Sequence, residues 1–263
     1  MRKLTWKACA GLALMALIAL FAWAGPLLIA ADPAHQILAD SLLPPGTAHW
    51  LGTDVLGRSV LARLAHAARL SLGLALLAAI TAAVPGVLLG LLASWQGGRT
   101  ERALVMLADA VLAVPGLLLV LLFAALAPGQ HWALYVGLSL SLWVEYFRVS
   151  RAVSRPIFAS DAVQASGLLG FGALYLLHRH LWPALAPVLA TLLAFSLAQA
   201  VLALAALGFI GVGLQPPTAE LGLMMTEFLP HYEEAPWLIA APVTLLMAVV
   251  LAMMLMTPDG EPA

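Results

Sequence analysis

The sequence is short of charge. Asp, Glu, Lys and Arg together make up 10% of its 263 residues, against about 25% in a soluble globular domain. The net charge is −1, and no basic stripe is present, which excludes a nucleic-acid binder. Cysteine occurs once, at Cys9 in an apolar run, so no internal disulfide can form. A free cysteine in such a run behaves as a small hydrophobe. The two lysines, Lys3 and Lys7, follow no glycine-rich turn. A P-loop needs a lysine after such a turn to reach the phosphates, so a nucleotide that drives this protein is bound by a partner. Neither a His-Glu-x-x-His zinc motif nor a Gly-x-Ser-x-Gly elbow occurs. His178 and His180 flank Arg179 and read as a solvated basic surface, so no metal site and no catalytic residue is expected.

What the sequence has is apolar surface. Apolar residues reach 63% and the mean hydropathy is +1.00, against about 45–50% apolar in soluble domains. A core of this size cannot hide the surplus, which is expected to face lipid. A bilayer takes about 20 apolar residues per helix. Runs near 8–30, 70–94, 103–126, 132–147, 183–212 and 236–256 predict an all-α integral membrane protein with six transmembrane helices. The first run begins after Met-Arg-Lys, and Ala22-Trp23-Ala24 resembles a cleavage site. It is longer than the roughly 7–15 residues of a signal h-region, so it reads as an uncleaved anchor. The fifth run exceeds one bilayer thickness and is expected to tilt or break near Gly208.

Arginine and lysine set the orientation. Arg2, Lys3, Lys7, Arg99, Arg102, Arg148, Arg151, Arg155 and Arg179 fall on one side of this layout, and Arg58, Arg63 and Arg69 on the other. Nine against three, of twelve in all, predicts that both termini are cytoplasmic. The segment 213–235 holds Glu220, Glu227, Glu233 and Glu234 with no basic residue, and is expected to be a solvated external loop. Within the spans, Asp109 and Glu145 are the notable charges and belong to no relay of acids and histidines. Asp109 is expected to reach the interface or a neighbouring helix. Pro85 and Pro115 are expected to bend their helices. Gly86 and Gly90 form a small-xxx-small pattern, which lets helices approach closely.

The segment 148–182 is the longest cytoplasmic connection, about 35 residues where a helix-to-helix turn needs only a handful. Pro156 can open a helix, and Ser160-Asp161 offers N-cap chemistry for the stretch Ala162 to Leu169. Gly170 and Gly172 permit a sharp turn, and a second helical run from Ala173 leads to Trp182-Pro183. Helix, glycine turn and helix make a projecting knob that suits a soluble partner. The residues alone leave open an ion-coupled secondary transporter, an integral membrane enzyme or a non-transporting membrane subunit.

The run Asp161-Ala-Val-Gln-Ala-Ser-Gly-Leu-Leu-Gly170, followed by Trp182-Pro183, resembles the EAA loop of ABC-transporter permeases. Gln164, Ala165 and Ser166 take the Glu-Ala-Ala places. Two further blocks are similar to the dipeptide, oligopeptide and nickel "C"-type branch of that family. One is His49-Trp-Leu-Gly-Thr-Asp54-Val-Leu-Gly57-Arg58, continuing to Arg63 and Arg69; the other is Gly208-Phe-Ile-Gly211-Val-Gly213-Leu-Gln215-Pro216-Pro217-Thr218-Ala-Glu220. The chain departs from the pattern at Gln164 in place of glutamate, at Ser59 where aspartate is usual and at Leu221 where tryptophan is usual.

The resemblance implies a bacterial inner-membrane permease subunit. Its layout is a cytoplasmic N-terminus (1–7), an anchor helix (8–30), a periplasmic segment (31–69), a five-helix core (70–256) with a cytoplasmic EAA-type coupling loop at 148–182, and a short cytoplasmic tail (257–263). The implied partners are a second permease, in a heterodimer by family habit, two ABC ATPase subunits and a periplasmic or lipid-anchored solute-binding protein. No cofactor is bound by this chain, with ATP and magnesium held by the ATPases. Asp161 and Gln164 would orient the coupling helix, Ala165 and Ser166 would pack on the ATPase, Gly170 would make the turn, Arg179 would lie in the loop, and Pro183 would start span five. Asp54, Arg58 and Arg63 would build a structural external segment or contact the binding protein.

Overall fold

The computed structural model describes residues 6–29 and 31–256. The expectations for the first five residues and for the tail beyond Met256 lie outside the described residues. Ten α-helices are present there: α1 (Trp6–Leu28), α2 (Val60–Gln96), α3 (Gly98–Leu112), α4 (Gly116–Leu126), α5 (His131–Phe158), α6 (Asp161–Leu168), α7 (Ala173–Leu176), α8 (Trp182–Phe209), α9 (Leu221–Phe228) and α10 (Pro236–Met256). The only β feature among the described residues is an isolated Thr53–Ser59 bridge.

The bundle is organised around α2 and α5, its most extensive helix pair. Along α2 the buried positions include Ala68, Leu72, Ala75, Ala79, Ala82, Gly86, Gly90 and Ala93, a stripe of mostly small residues at helical spacing. Without a hydrophobic drive between helices in lipid, close backbone approach supplies the packing. A Cβ on Gly86 would sit 2.6 Å from the Tyr146 Cβ, and one on Gly90 2.7 Å from the Phe147 carbonyl. Hydroxyls pin the same seam: Ser94 Oγ meets Ser154 Oγ at 3.3 Å, and Thr81 Oγ1 meets Ser139 Oγ at 3.2 Å. α1 packs on α10, where a Cβ on Gly11 would lie 2.8 Å from the Ala252 carbonyl.

The span layout differs from the sequence reading in four places. Four helical stretches are long and apolar enough to cross a membrane: 6–28, 60–96, 173–209 and 236–256. The third run is not one helix. α3 and α4 meet at 72°, because Pro115 holds an extended backbone (φ −53°, ψ 130°) at the start of α4 and has no N–H to continue α3. Counted as one bent span, the pair makes a fifth. α5 has 28 residues but is less apolar, and it continues through Pro156 to Phe158 instead of opening a new helix there. Pro156 takes one bond from the ladder near the helix end, the one its N–H would have given to the residue four before it. α2 starts ten residues before the apolar run does, because Ser59 Oγ accepts from the Ala62 N–H (3.4 Å) and the Arg63 charge is neutralised inside the fold. Pro85 is accommodated within that one continuous helix. The fifth run is helical from Ala173, ten residues before the apolar run begins, and its helix stops at Phe209, one residue past Gly208, at the expected break. A π-turn at Leu177–Leu181 precedes Pro183, a single wide turn of the kind found inside α-helices.

Candidate functional site

The sequence-predicted residues gather at the two opposite ends of α2. At the Val60 end, the segment 31–59 folds back on itself. The Ile37 N–H donates to Leu56 O at 3.1 Å, and the Leu42 N–H donates to Asp54 O at 3.1 Å. Gly57 turns with φ +71° where a Cβ would strike the Ile37 backbone. Asp54 and Arg63 are 0% exposed and Arg58 3%. Arg58 Nε and Arg63 Nη1 each reach Asp54 Oδ2 at 2.6 Å. The other Asp54 oxygen accepts the Leu56 and Arg58 backbone N–H groups, both at 2.9 Å. Glu227 closes the cluster from α9, 2.5 Å from Arg63 Nη2 and 3.4 Å from Arg58 Nη2. The Arg63 guanidinium also lies 5.7 Å from the centre of the Phe228 ring. Two arginines and two carboxylates leave the group neutral, which is what makes its burial tolerable.

The solvated loop expected at 213–235 is therefore corrected for 219–228, while Glu233 and Glu234 are exposed as expected. α9 within it is buried, with Leu221, Met224 and Phe228 packed on Val60, Leu64 and Leu238. Glu220 starts this helix by accepting the Leu223 N–H at 2.9 Å, and Ser71 Oγ donates to it at 3.5 Å. Burial raises its carboxyl pKa, opposed by the backbone N–H groups and Ser71. A Cβ on Gly222 would collide with the Ala205 carbonyl, and one on Gly208 with Glu220 itself, so glycine pairs seat α9 on α8. Gly211 turns with φ +79°. Gly213 is buried against Gly208, while Gln215, Pro216 and Pro217 are exposed. Arg69 stands apart from the ion cluster: it is exposed, beside His66, His131 and Thr218.

At the other end of α2, three ion pairs tie α3 to α5: Arg151 to Glu101 at 2.5 Å, Arg155 to Glu101 at 3.1 Å, and Arg148 to Asp109 at 2.6 Å. Beyond Phe158 the chain makes α6. Ser160 occupies the N-cap place, but its Oγ donates backward to the Ile157 carbonyl at 2.6 Å and caps nothing. Gln164 Nε2 donates to the Ala159 carbonyl at 3.2 Å, a bond a glutamate could not donate. Asp161 and Ala165 are exposed, and Arg179 is exposed in the π-turn. Ser166 Oγ donates to the Ala162 carbonyl and sits 3.2 Å from His180 Nε2, which ties α6 to the π-turn. His180 is thus partly enclosed and not simply solvated.

Gly170 ends α6 with φ +80°. The Gly170 N–H bonds to Gly167 O at 3.0 Å and the Phe171 N–H to Ser166 O at 3.1 Å, the Schellman pattern of helix termination. The turn thrusts out apolar groups. Leu168 is 91% exposed and Leu174 79%, with Leu169, Phe171 and Tyr175 beside them. Phe171 and Tyr175 stack at 4.3 Å. Contiguous exposed apolar groups of this kind mark interaction surfaces.

Residues 86–257 match the family described as binding-protein-dependent transport system inner membrane component. The chain belongs to this family. Among curated members, it is 38% identical over 256 residues to the di/tripeptide transport system permease protein DppC of Pseudomonas aeruginosa, covering 95% of this chain and 84% of that protein. It is 30% identical to the oligopeptide permease OppC of Bacillus subtilis, covering 88% and 75%, and 30% identical to the nickel permease NikC of Escherichia coli, covering 84% and 80%. A chain of the MetNI methionine ABC transporter, solved in inward-facing conformations, superposes with a TM-score of 0.58 at 17% identity, over 73% of this chain and 91% of that one; this shows the fold. The resemblance to the "C"-type permeases is thereby borne out, and with it a multi-pass membrane component. In this permease, sequence reasoning missed Glu227 as the second anion of the ion cluster. The available signal was stoichiometric: three arginines on one predicted external segment and only acids on the other.

Proposed function

We propose that this chain is one transmembrane subunit of an ATP-driven importer of di- or oligopeptides. It pairs with a second permease to enclose the path, in a bacterial inner membrane, with six crossings and both termini cytoplasmic. The bent α3–α4 pair and α5 supply the crossings beyond the four apolar stretches. Two ATPase subunits carry ATP and magnesium, and a solute-binding protein delivers the solute at the Asp54 end. The observation that carries the reading is the knob at 161–176. A family member presents Leu168, Leu169, Phe171 and Leu174 bare, on a turn fixed by Gly170 and tied through Ser166 to His180 and so to α8. An ATPase seated there moves α8, and through it the bundle, when its own subunits close. Energy arrives as mechanical contact, so the chain needs no catalytic group. Peptides lead as the solute because the di/tripeptide permease is the relative at 38% identity; nickel, or a related small solute, is the other outcome, after the nickel permease.

The test is purification of the tagged chain from its native membrane in mild detergent, with mass spectrometry and an ATPase assay. P-loop ATPases and a second permease are expected, with ATP hydrolysis and uptake lost in Gly170→Val at normal membrane levels. Recovery of the chain alone contradicts the reading and returns the non-transporting subunit or an ion-coupled carrier.

A further inference from the structure

The knob reaches α8 by two routes. One is the backbone. Its hydrogen bonds close the turn as far as Phe171 and resume from the Gly172 carbonyl, and none bridges 171 and 172 among the described residues. A Cβ on Gly172 would meet nothing within 4 Å, so this joint is free to swing. Of α6 itself only Val163 is buried. The other route is a side-chain contact. Ser166 Oγ and His180 Nε2 lie 3.2 Å apart, the one side-chain hydrogen bond from α6 to 173–209 among the described residues.

Proton counting gives that bond its direction. A serine hydroxyl has one proton, and Ser166 gives it to the Ala162 carbonyl at 2.8 Å. Its oxygen keeps only lone pairs, so His180 donates to it through Nε2–H. The imidazole has a second neighbour. Tyr175 meets it edge-on at 6.2 Å between centroids and stacks on Phe171 at 4.3 Å. On an α-helix of 3.6 residues per turn, positions five apart point about 140° away from each other. The π-turn, in which the Trp182 N–H bonds back to the Leu177 carbonyl, brings Tyr175 and His180 to one side. Such turns recur at functional sites. His180 is half-buried, between the exposed Arg179 and the buried Leu181.

We infer that His180 is the positioning residue of the knob. It fixes the angle of α6 to α8, so that a push on α6 from a closing ATPase turns α8 instead of swinging the joint at Gly172. The inference rests on the importer reading and deepens it: Leu168, Leu169 and Leu174 form the seat, and His180 makes the seat rigid. The contact belongs to this chain and not to the Glu-Ala-Ala pattern, whose alanine at the Ser166 place accepts no hydrogen bond. Without His180 the ATPases stay seated and hydrolyse ATP, but less of their movement reaches α8.

The experiment uses the whole complex in proteoliposomes with its binding protein, and reads dialanine or nickel uptake per ATP hydrolysed. In His180→Leu the ATPases are expected to co-purify at the wild-type ratio with hydrolysis little changed, while solute carried per ATP falls about fivefold, the factor one net hydrogen bond is worth. His180→Gln, which keeps a donor N–H near the Nε2 position, is expected to restore most of it. Ser166→Ala is expected to lose as much as His180→Leu, and the two together no more than either alone, as for residues acting through one bond. Ser166→Ala removes a single oxygen, so it decides the matter if His180→Leu does not assemble. Unchanged transport per ATP in Ser166→Ala, no recovery in His180→Gln, additive losses, or ATPases lost in step with uptake overturns the inference. A wild-type complex without ATPases, or one that carries neither dialanine nor nickel, overturns instead the importer reading beneath it, and is read before any variant is made.

Discussion

The two ends of α2 handle polarity in opposite ways. At the Val60 end the chain buries its charges: Asp54, Arg58 and Arg63 are closed off and neutralised with Glu227. At the Gln96 end it exposes its apolar groups: Leu168 and Leu174 stand out, on a turn held by backbone hydrogen bonds. The first arrangement is complete in one chain. The second leaves apolar surface uncovered, and so calls for another protein. The difference separates residues that hold the subunit together from residues that connect it to something else.

The contrast breaks most visibly at the ion cluster. Arg63→Ala would leave the two carboxylates of the cluster, Asp54 and Glu227, to Arg58 alone, an uncompensated buried charge that costs about 3–5 kcal/mol. A large fall in thermal stability and in membrane level is expected, whereas Leu174→Ala at the knob should leave both unchanged. A destabilised Leu174→Ala would erase the distinction. Next in size is Gly222→Leu, which drives a side chain into the Ala205 carbonyl and costs about 1–3 kcal/mol as overpacking, read as a lowered melting temperature in detergent. Gly170→Val forces a β-branched residue to φ +80°, about 1–3 kcal/mol of local strain. A Cβ there meets nothing within 4 Å, so the fold should persist while transport stops.

The smallest effect is a pH dependence. Burial raises the Glu220 pKa above its ordinary 4.5, so between those two values the folded state holds more protons than the unfolded one. Stability contributed by this group is full below about the ordinary value and is lost as pH rises through the folded one. Glu220→Gln should flatten the melting temperature against pH above 4.5 and leave it unaltered below. An identical profile in the variant would remove Glu220 as the cause.

Much of the contrast was legible in the sequence, but unequally. The knob was readable because its devices are local: Gly170 twelve positions before Trp182, with helical stretches either side. Even there Ser160 misled, since a hydroxyl can bond backward as easily as forward. The Val60 end was legible as a block of residues but not as a cluster, because Glu227 lies 164 positions from Arg63 and only the fold brings them together. Glu220 and Glu227 looked solvated for the same reason, whereas Glu233 and Glu234 are indeed exposed. Helix length was misjudged where charge was taken as the end of a helix. α2 runs through Arg63 and α5 through Arg148, Arg151 and Arg155, because ion pairs absorb those charges.

The most direct test of the comparison is photocrosslinking from its two ends in native membranes. A benzophenone-type side chain is placed at Leu174 on the knob or at Trp50 on the opposite end, where both native residues are largely exposed. An adduct between position 174 and a P-loop ATPase, with none from position 50, is the expected result. Equal ATPase adducts from both positions, or none from position 174, would contradict the assignment of the knob as the contact through which ATP drives this permease.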